Sequence, residues 1–281
     1  KSTPILPPRR ILDGVVHGVG VGGNCSGIPT PQGFVWFDDR YVGKPLVFAG
    51  TVGIIPREVN GRKMAEKQAQ AGDLIVVVGG RVGKDGIHGA TFSSEALDPA
   101  SPVTAVQIGD PITQKKFSDV IVKEARDRNL YRSITDNGAG GISCSVAEMA
   151  KECNGCRVTL DAVPLKYPGM APWEIWISES QERMTLAVPP EHLEPFMELM
   201  DRRDVGATVI GEFTGSGRCV VEYHGNVVMD IELGFLHDGL PKKHLKTTCS
   251  KKTYPEPDTP CPGRLDHTLL AMLRRRNICS R

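Results

Sequence analysis

The chain has 281 residues, of which 40% are hydrophobic, 24% charged and 6% aromatic. Those proportions exclude a disordered, collagen-like or coiled-coil chain, and the length is enough for a sizeable core in one large or two small domains. The formal net charge of +1 gives no whole-chain argument for binding nucleic acid or a membrane surface. No apolar run approaches the roughly 18–20 residues of a membrane helix, and the first twenty residues lack a signal peptide's apolar centre and cleavage site. A cytoplasmic protein is expected. The chain opens Lys1-Ser2-Thr3 without a methionine.

Residues 1–60 read as strands with tight turns and no helix, with 33–37 and 45–55 the best strand candidates. The stretch Gly18-Val19-Gly20-Val21-Gly22-Gly23 matches G-x-G-x-x-G. A dinucleotide site needs a helix directly after that motif, and Pro29 and Pro31 forbid one, so that reading is rejected. Residues 74–78 form a continuous apolar run ending in Gly79-Gly80, as a buried strand followed by a glycine loop would. Residues 103–106 also read as a strand, ending at Gln107.

Asp110-Pro111 starts a helix, with Asp as cap, Pro at the first helical position, and Phe117, Val120, Ile121 and Ala125 on its buried face. Ser145 and Glu148 make a capping box for a helix over 146–151. Residues 183–188 read as a strand and 190–203 as a helix. Residues 218–223 and 226–232 read as a hairpin turning at His224-Gly225. A proline-rich linker follows, then a short helix capped by Asp266 with Leu269, Leu270 and Leu273 on one face. From Pro241 onward ten Lys/Arg stand against three acids, leaving the rest of the chain at −6; prolines and a helix interrupt these charges, which favours a solvated linker over a nucleic-acid arm. Alternation of strands and helices predicts an α/β or α+β fold.

The chemistry-bearing stretches are loops. Gly80, Gly83, Gly86 and Gly89 recur every third residue after the buried strand, with Arg81, Lys84 and His88 between them. Backbone N–H groups in such a loop can hold an anion or phosphate; the alternative is a structural loop whose glycines only supply positive φ. The spacing is too short for a Walker A loop, and Asp85 follows the lysine. Asp136, heading Asp136-Asn137-Gly138-Ala139-Gly140-Gly141, is a Mg²⁺-ligand candidate or an Asx-turn residue. Glu179-Ser180-Gln181-Glu182-Arg183 places a polar block before a strand, where a binding site or a solvated loop would fit. Trp173 and Trp176 read as core aromatics. Among eight scattered cysteines only Cys153 and Cys156 form a C-x-x-C, and without a second pair they read as structural thiols.

Taken in order, Gly79-Gly80-Arg81-Val82-Gly83-Lys84-Asp85-Gly86-Ile87-His88-Gly89-Ala90, Gln107-Ile108-Gly109-Asp110-Pro111, Asp136 to Gly141 and Ser178 to Met184 resemble the synthetase subunits of phosphoribosylformylglycinamidine synthases. Gly23 to Thr30 and Arg276 to Arg281 resemble that family as well, and the likeness covers almost the whole chain. The resemblance implies membership of the aminoimidazole ribonucleotide synthetase superfamily, with a two-part α/β unit repeated in the chain. It implies an ATP-dependent ligase of purine biosynthesis, which converts formylglycinamide ribonucleotide to the amidine with ammonia or glutamine through an iminophosphate. It implies substrate contacts from Gln107, Glu179, Ser180 and Gln181, a Mg²⁺ ligand in Asp136, ATP as co-substrate, and partners in a glutaminase subunit or domain and a small third subunit.

The family's histidine-rich Glu-Thr/Ser-His-Asn-His-Pro segment, with its catalytic base, has no counterpart here. The chain is therefore expected to be an internal piece of such a ligase, inactive alone and prone to self-association through unpaired strand edges. Residues 1–60 would be the later, β-rich part of an ATP-binding-type domain, 61–245 an aminoimidazole ribonucleotide synthetase C-terminal-like domain with a mixed sheet and packed helices, and 246–281 a linker and short helix. The remainder of the polypeptide would be a further partner. The rival readings are another enzyme of the superfamily (a selenophosphate synthetase, a hydrogenase maturation factor or a thiamine-phosphate kinase) or a non-catalytic binding module of the same fold.

Overall fold

The computed structural model describes residues 6–41, 44–95, 105–107, 109–258, 263–275 and 277–278. Two compact units result, Lys1–Pro29 with Phe48–Leu240 and Thr30–Val47 with Pro241–Arg281.

The first unit opens with α1 (Pro8–Ser26), where strands were expected. Pro8 sits at the first helical turn, and Gly27 closes the helix at φ 66 with its N–H bonded to Asn24 and Gly23 carbonyls. Ile11, Val15, Gly22 and Ser26 share the half-buried face, and α1 lies beside α3 (Pro111–Val120). The G-x-G-x-x-G motif lies inside this helix, so its glycines form no ligand loop. The helix was hidden because its glycines each cost about 1 kcal/mol of helix propensity against alanine. Residues 48–56 run as irregular chain, with Phe48, Val52 and Ile54 exposed. Apolar composition suggested a strand, but a strand needs a partner, and this stretch pairs with none among the described residues. The two short strands β1 (Glu58–Val59) and β2 (Arg62–Lys63) make a small ribbon of their own.

The centre of this unit is a seven-stranded mixed sheet. Its strands are β3 (Leu74–Gly79), β4 (Ser133–Asp136), β5 (Cys156–Thr159), β6 (Arg183–Val188), β7 (Ala207–Phe213), β8 (Arg218–Tyr223) and β9 (Asn226–Glu232). They lie in the order β4-β6-β3-β7-β5-β8-β9. The β5–β8 pair is parallel and the other neighbours are antiparallel. β3 is buried on both faces. Ile75 and Val77 point to one core with Ile142, Val146 and Met149 of α4 (Gly141–Cys153). Val76 and Val78 point to the other, with Phe117 and Val120 of α3 and Phe196, Leu199 and Met200 of α6 (Pro190–Arg202). Period-two alternation thus divides one apolar run between two helical layers. Burying each such side chain contributes roughly 1.5–3 kcal/mol.

Other expectations hold with shifted edges. Asp110 caps α3 through a hydrogen bond from Ile112 N–H, and the buried face continues through a π-helical turn over Ile121–Ala125. The β8–β9 hairpin turns at His224 and Gly225, with φ 50 and 73. Ser145 is no cap. α4 begins at Gly141, and the Ser145 hydroxyl bonds to Ile142 O and Thr185 inside the core. Ala105 to Gln107 are not strand, and 103–104 lie outside the described residues. Ile108 and most of the closing Arg276 to Arg281 stretch lie outside them as well. Trp176 packs against the core, but Trp173 is exposed. The Cys156 thiol donates a hydrogen bond to Cys219, Sγ to Sγ 3.4 Å, across β5 and β8. That hydrogen bond, together with burial, raises the Cys156 thiol's pKa.

In the second unit residues 31–38 are irregular, so 33–37 is not the expected strand. Phe37 N–H donates to Asn277 Oδ1 at 2.7 Å. In the last helix, α8 (Leu265–Leu273), Arg264 stands at the N-cap position without a side-chain capping bond, Asp266 lies inside the first turn rather than capping it, and those two side chains pair. Leu269, Leu270 and Leu273 on α8 are exposed.

Candidate functional site

Antiparallel pairing with β6 and β7 brings the ends of β3, β4 and β6 to one end of the sheet. There the chain leaves β3 at Gly79, leaves β4 at Asp136 and enters β6 at Arg183. The three sequence motifs therefore meet at this mouth, although they are far apart in the chain.

They meet on Glu179. Its carboxylate is buried, 5% exposed, and accepts the N–H of Ala90 at 2.8 Å on one oxygen and the N–H of Gly140 at 3.1 Å on the other. Gln107 Nε2 donates to the first oxygen at 3.4 Å. Ala90 is the second residue of α2 (Gly89–Ser94) and Gly140 stands at the N-cap of α4, so the carboxylate lies at two helix N-termini, where a negative charge is favoured. Ser180 is also buried. Its hydroxyl accepts Gly83 N–H at 3.0 Å and donates to Asp85 Oδ1 at 3.0 Å. Gln181 is exposed and Gln107 half-buried, so these two amides are the polar groups that this set offers to solvent.

Asp85 forms an ion pair with Lys166 at 2.9 Å. Burial pushes its carboxyl pKa up, but the hydrogen bonds from Lys166 and Ser180 outweigh that and hold it below the ordinary value. Two residues after Ser180, Glu182 stands at φ 54 and its carboxyl pKa is raised, mainly by burial. Arg183 is 4% exposed; burial lowers its pKa to about 10, so it stays a cation at neutral pH. Neither Asp85 nor Arg183 was singled out from sequence. The one available signal was that Arg183, Thr185 and Ala187 alternate onto one face of β6, placing a charge at the end of an otherwise buried row.

The glycine loop is small because it packs closely. A Cβ on Gly86 would meet Gln107 Cγ and Glu179 C at 2.8 Å, and one on Gly89 would meet Gln107 Nε2 at 2.7 Å. The N–H groups of Gly83, Lys84, Gly89 and Ala90 are bonded within the protein, to Ser180, Tyr167, Gly86 and Glu179. Lys84 Nζ pairs with Glu174 at 3.0 Å. His88 takes φ 59 at the start of α2. Gly80 N–H bonds to Glu182 O at 2.8 Å. Gly79, Gly80, Arg81 and Gln181 line a cleft of about 500 Å³, with Lys116 and Lys166 in its wall.

Asp136 is exposed at the rim, and its Oδ1 accepts Gly138 N–H at 2.9 Å in an Asx-turn. Among the described residues no group of three His, Cys, Asp or Glu side chains could hold a metal ion. A single hard carboxylate suits a Mg²⁺ ion that keeps its waters and shares a ligand's phosphate, rather than an all-protein cage. Among the described residues no helix is long and apolar enough to cross a membrane.

This mixed sheet with its glycine-lined mouth is the fold of a known family. Residues 70–224 match the model of the AIR synthase related protein, C-terminal domain, and the chain belongs to that family. A curated relative, phosphoribosylformylglycinamidine synthase subunit PurL of Methanothermobacter thermautotrophicus, is 40% identical over 234 residues, covering 82% of this chain and 32% of the relative. Among solved structures, T. maritima PurL complexed with FGAR aligns with a TM-score of 0.72 at 28% identity, over 87% of this chain and 40% of that one. T. maritima PurL complexed with ATP aligns with a TM-score of 0.66 at 26% identity, over 86% and 38%. The chain thus spans about a third of the length of the curated relative.

Proposed function

We propose that this domain supplies the formylglycinamide ribonucleotide site of an ATP-dependent amidine-forming ligase of purine biosynthesis. The observation that carries the reading is the meeting of Gln107, the 79–90 loop and the 136–141 loop on Glu179, in a chain similar to a protein solved with FGAR. Gln107 and Gln181 present amides that can both donate to and accept from a formamide and an amide. Glu179 and Ser180 set the loop that carries Gln181. The 500 Å³ cleft is large enough for a ribonucleotide, and Arg81 would supply positive charge for its phosphate, whereas Lys116 and Lys166 in the wall are paired with Asp204 and Asp85.

In the proposed reaction ATP phosphorylates the amide oxygen, and ammonia then displaces phosphate from the iminophosphate. A glutaminase subunit or domain would release the ammonia, with a small third subunit in the assembly. Of the loop residues Gly80, Gly83, Lys84, Gly86, His88 and Gly89, Gly86 and His88 would contribute phosphate contacts through their backbone N–H groups, because those of Gly80, Gly83, Lys84 and Gly89 are already bonded within the protein. Asp136 would hold Mg²⁺, whose charge would offset that of the transferring phosphoryl group. The domain boundaries proposed are 1–60, 61–245 and 246–281, and the setting is the cytoplasm. Without a histidine-rich base segment in these residues, the 281-residue chain by itself should form no amidine.

Calorimetry tests the site. The chain should bind formylglycinamide ribonucleotide, and Gln107→Ala and Gln181→Ala should each weaken binding about tenfold or more, as lost hydrogen bonds of about 1.4 kcal/mol require. Wild-type affinity in both variants would overturn the assignment.

A further inference from the structure

The loop that carries Glu179 to Gln181 is held from beneath by a single buried cation. Arg183 Nε donates to Ser180 O at 2.9 Å and Nη2 donates to Ser178 O at 2.6 Å. These two carbonyls flank Glu179 on either side. The third arm, Nη1, is buried with no hydrogen-bond partner. Among the described residues Arg183 forms no salt bridge, although Asp85 and Glu182 lie near enough to favour its charge. A buried cation with an idle donor is costly, so a site that only needed packing would be better filled by an apolar side chain.

What the guanidinium does here is fix two carbonyls at once, and a planar fork does this better than a point charge. Those carbonyls set the height and direction of the Glu179 side chain, which in turn ties Ala90 and Gly140 to the same point. The close fit above leaves no slack: a Cβ on Gly141 would run into Ser178 O, and one on Gly86 would meet Glu179 O at 2.9 Å.

We propose that Arg183 is a positioning residue of the ligand site, setting the 178–181 loop so that Glu179 gathers the glycine loops and Gln181 faces the cleft, without itself touching the ligand. The inference about affinity rests on the ribonucleotide reading above; the inference about loop position does not.

Two measurements separate them. Hydrogen exchange on the full chain should show the Ala90 and Gly140 amides at least tenfold less protected in Arg183→Met, with β8–β9 amides unchanged. Arg183→Lys should fall between, since it keeps the charge and loses the fork. A Phe196→Ala control, weakened through the core, should lose protection across the whole sheet instead. Calorimetry with formylglycinamide ribonucleotide should then give affinity reduced about thirtyfold in Arg183→Met and severalfold in Arg183→Lys. Protection at Ala90 and Gly140 within twofold of wild type in Arg183→Met would overturn the positioning role. If that variant does not fold, the same result in Arg183→Lys would overturn it. Absence of wild-type binding would defeat the ribonucleotide reading while leaving the exchange test to decide the role of Arg183. Altered exchange with unaltered affinity would refute the link from loop position to ligand binding.

Discussion

Helix α1 and the mouth of the sheet are both rich in glycine, and they differ in what surrounds each missing side chain. A Cβ at Gly14, Gly18, Gly20 or Gly22 of α1 would meet nothing within 4 Å. At the mouth, Gly86 and Gly89 abut Gln107 and Glu179, Gly141 abuts the Ser178 carbonyl, and Gly86, Gly140 and Gly141 take positive φ. In α1 glycine is tolerated; at the mouth it is demanded, because backbone and polar side chains from three motifs occupy the space. Local sequence does not separate the two cases, since a glycine reports only the absence of a side chain.

Substitution sharpens that contrast. The largest effect is expected for Gly141→Ala, which adds a clash with Ser178 O to a φ of +57. It should destabilise the chain by roughly 2–5 kcal/mol, read by denaturant unfolding, from the left-handed backbone and overpacking together. Near-neutral stability would mean that the mouth is far more plastic than its packing implies.

The next effect is on pH dependence. Asp85 is held below its ordinary pKa when folded, so its contribution is present above the unfolded value near 4 and is lost as pH falls through the folded one. The stability advantage of wild type over Asp85→Asn should therefore be full at neutral pH and shrink below about pH 4. A constant difference from pH 7 to pH 2 would remove the carboxylate from the network with Lys166 and Ser180.

The smallest effect runs the other way. Gly18→Ala or Gly20→Ala should stabilise α1 by about 0.5–1 kcal/mol, seen as a small rise in Tm. Destabilisation at both positions would show that α1 too is closely packed.

Much of the mouth could be read in the chain. The apolar run 74–78, the Asp110-Pro111 start and the strand at 183–188 each follow from short-range chemistry, and each appears where the pattern places it. The segment 1–60 could not be read so well. Valine-rich, glycine-rich sequence resembles strands, but α1 forms because Pro8 and Gly27 bound it and one face lies along α3. Residues 48–55 are apolar yet unpaired, and pairing is a property of two segments.

Which residues carry polar chemistry, in what order, and which stretches alternate or run apolar are properties of local spacing and can be read along the chain. What each of these residues touches depends instead on how the strands are ordered in the sheet. Glu179 and Ser180 proved to be buried ties, and Gln107 and Gln181 the amides left to solvent. Asp85 and Arg183 joined the network around Ser180, and Cys156 met Cys219 across two strands. Each outcome depends on which distant groups, backbone or side chain, come within hydrogen-bond range of one another, and sheet order sets that.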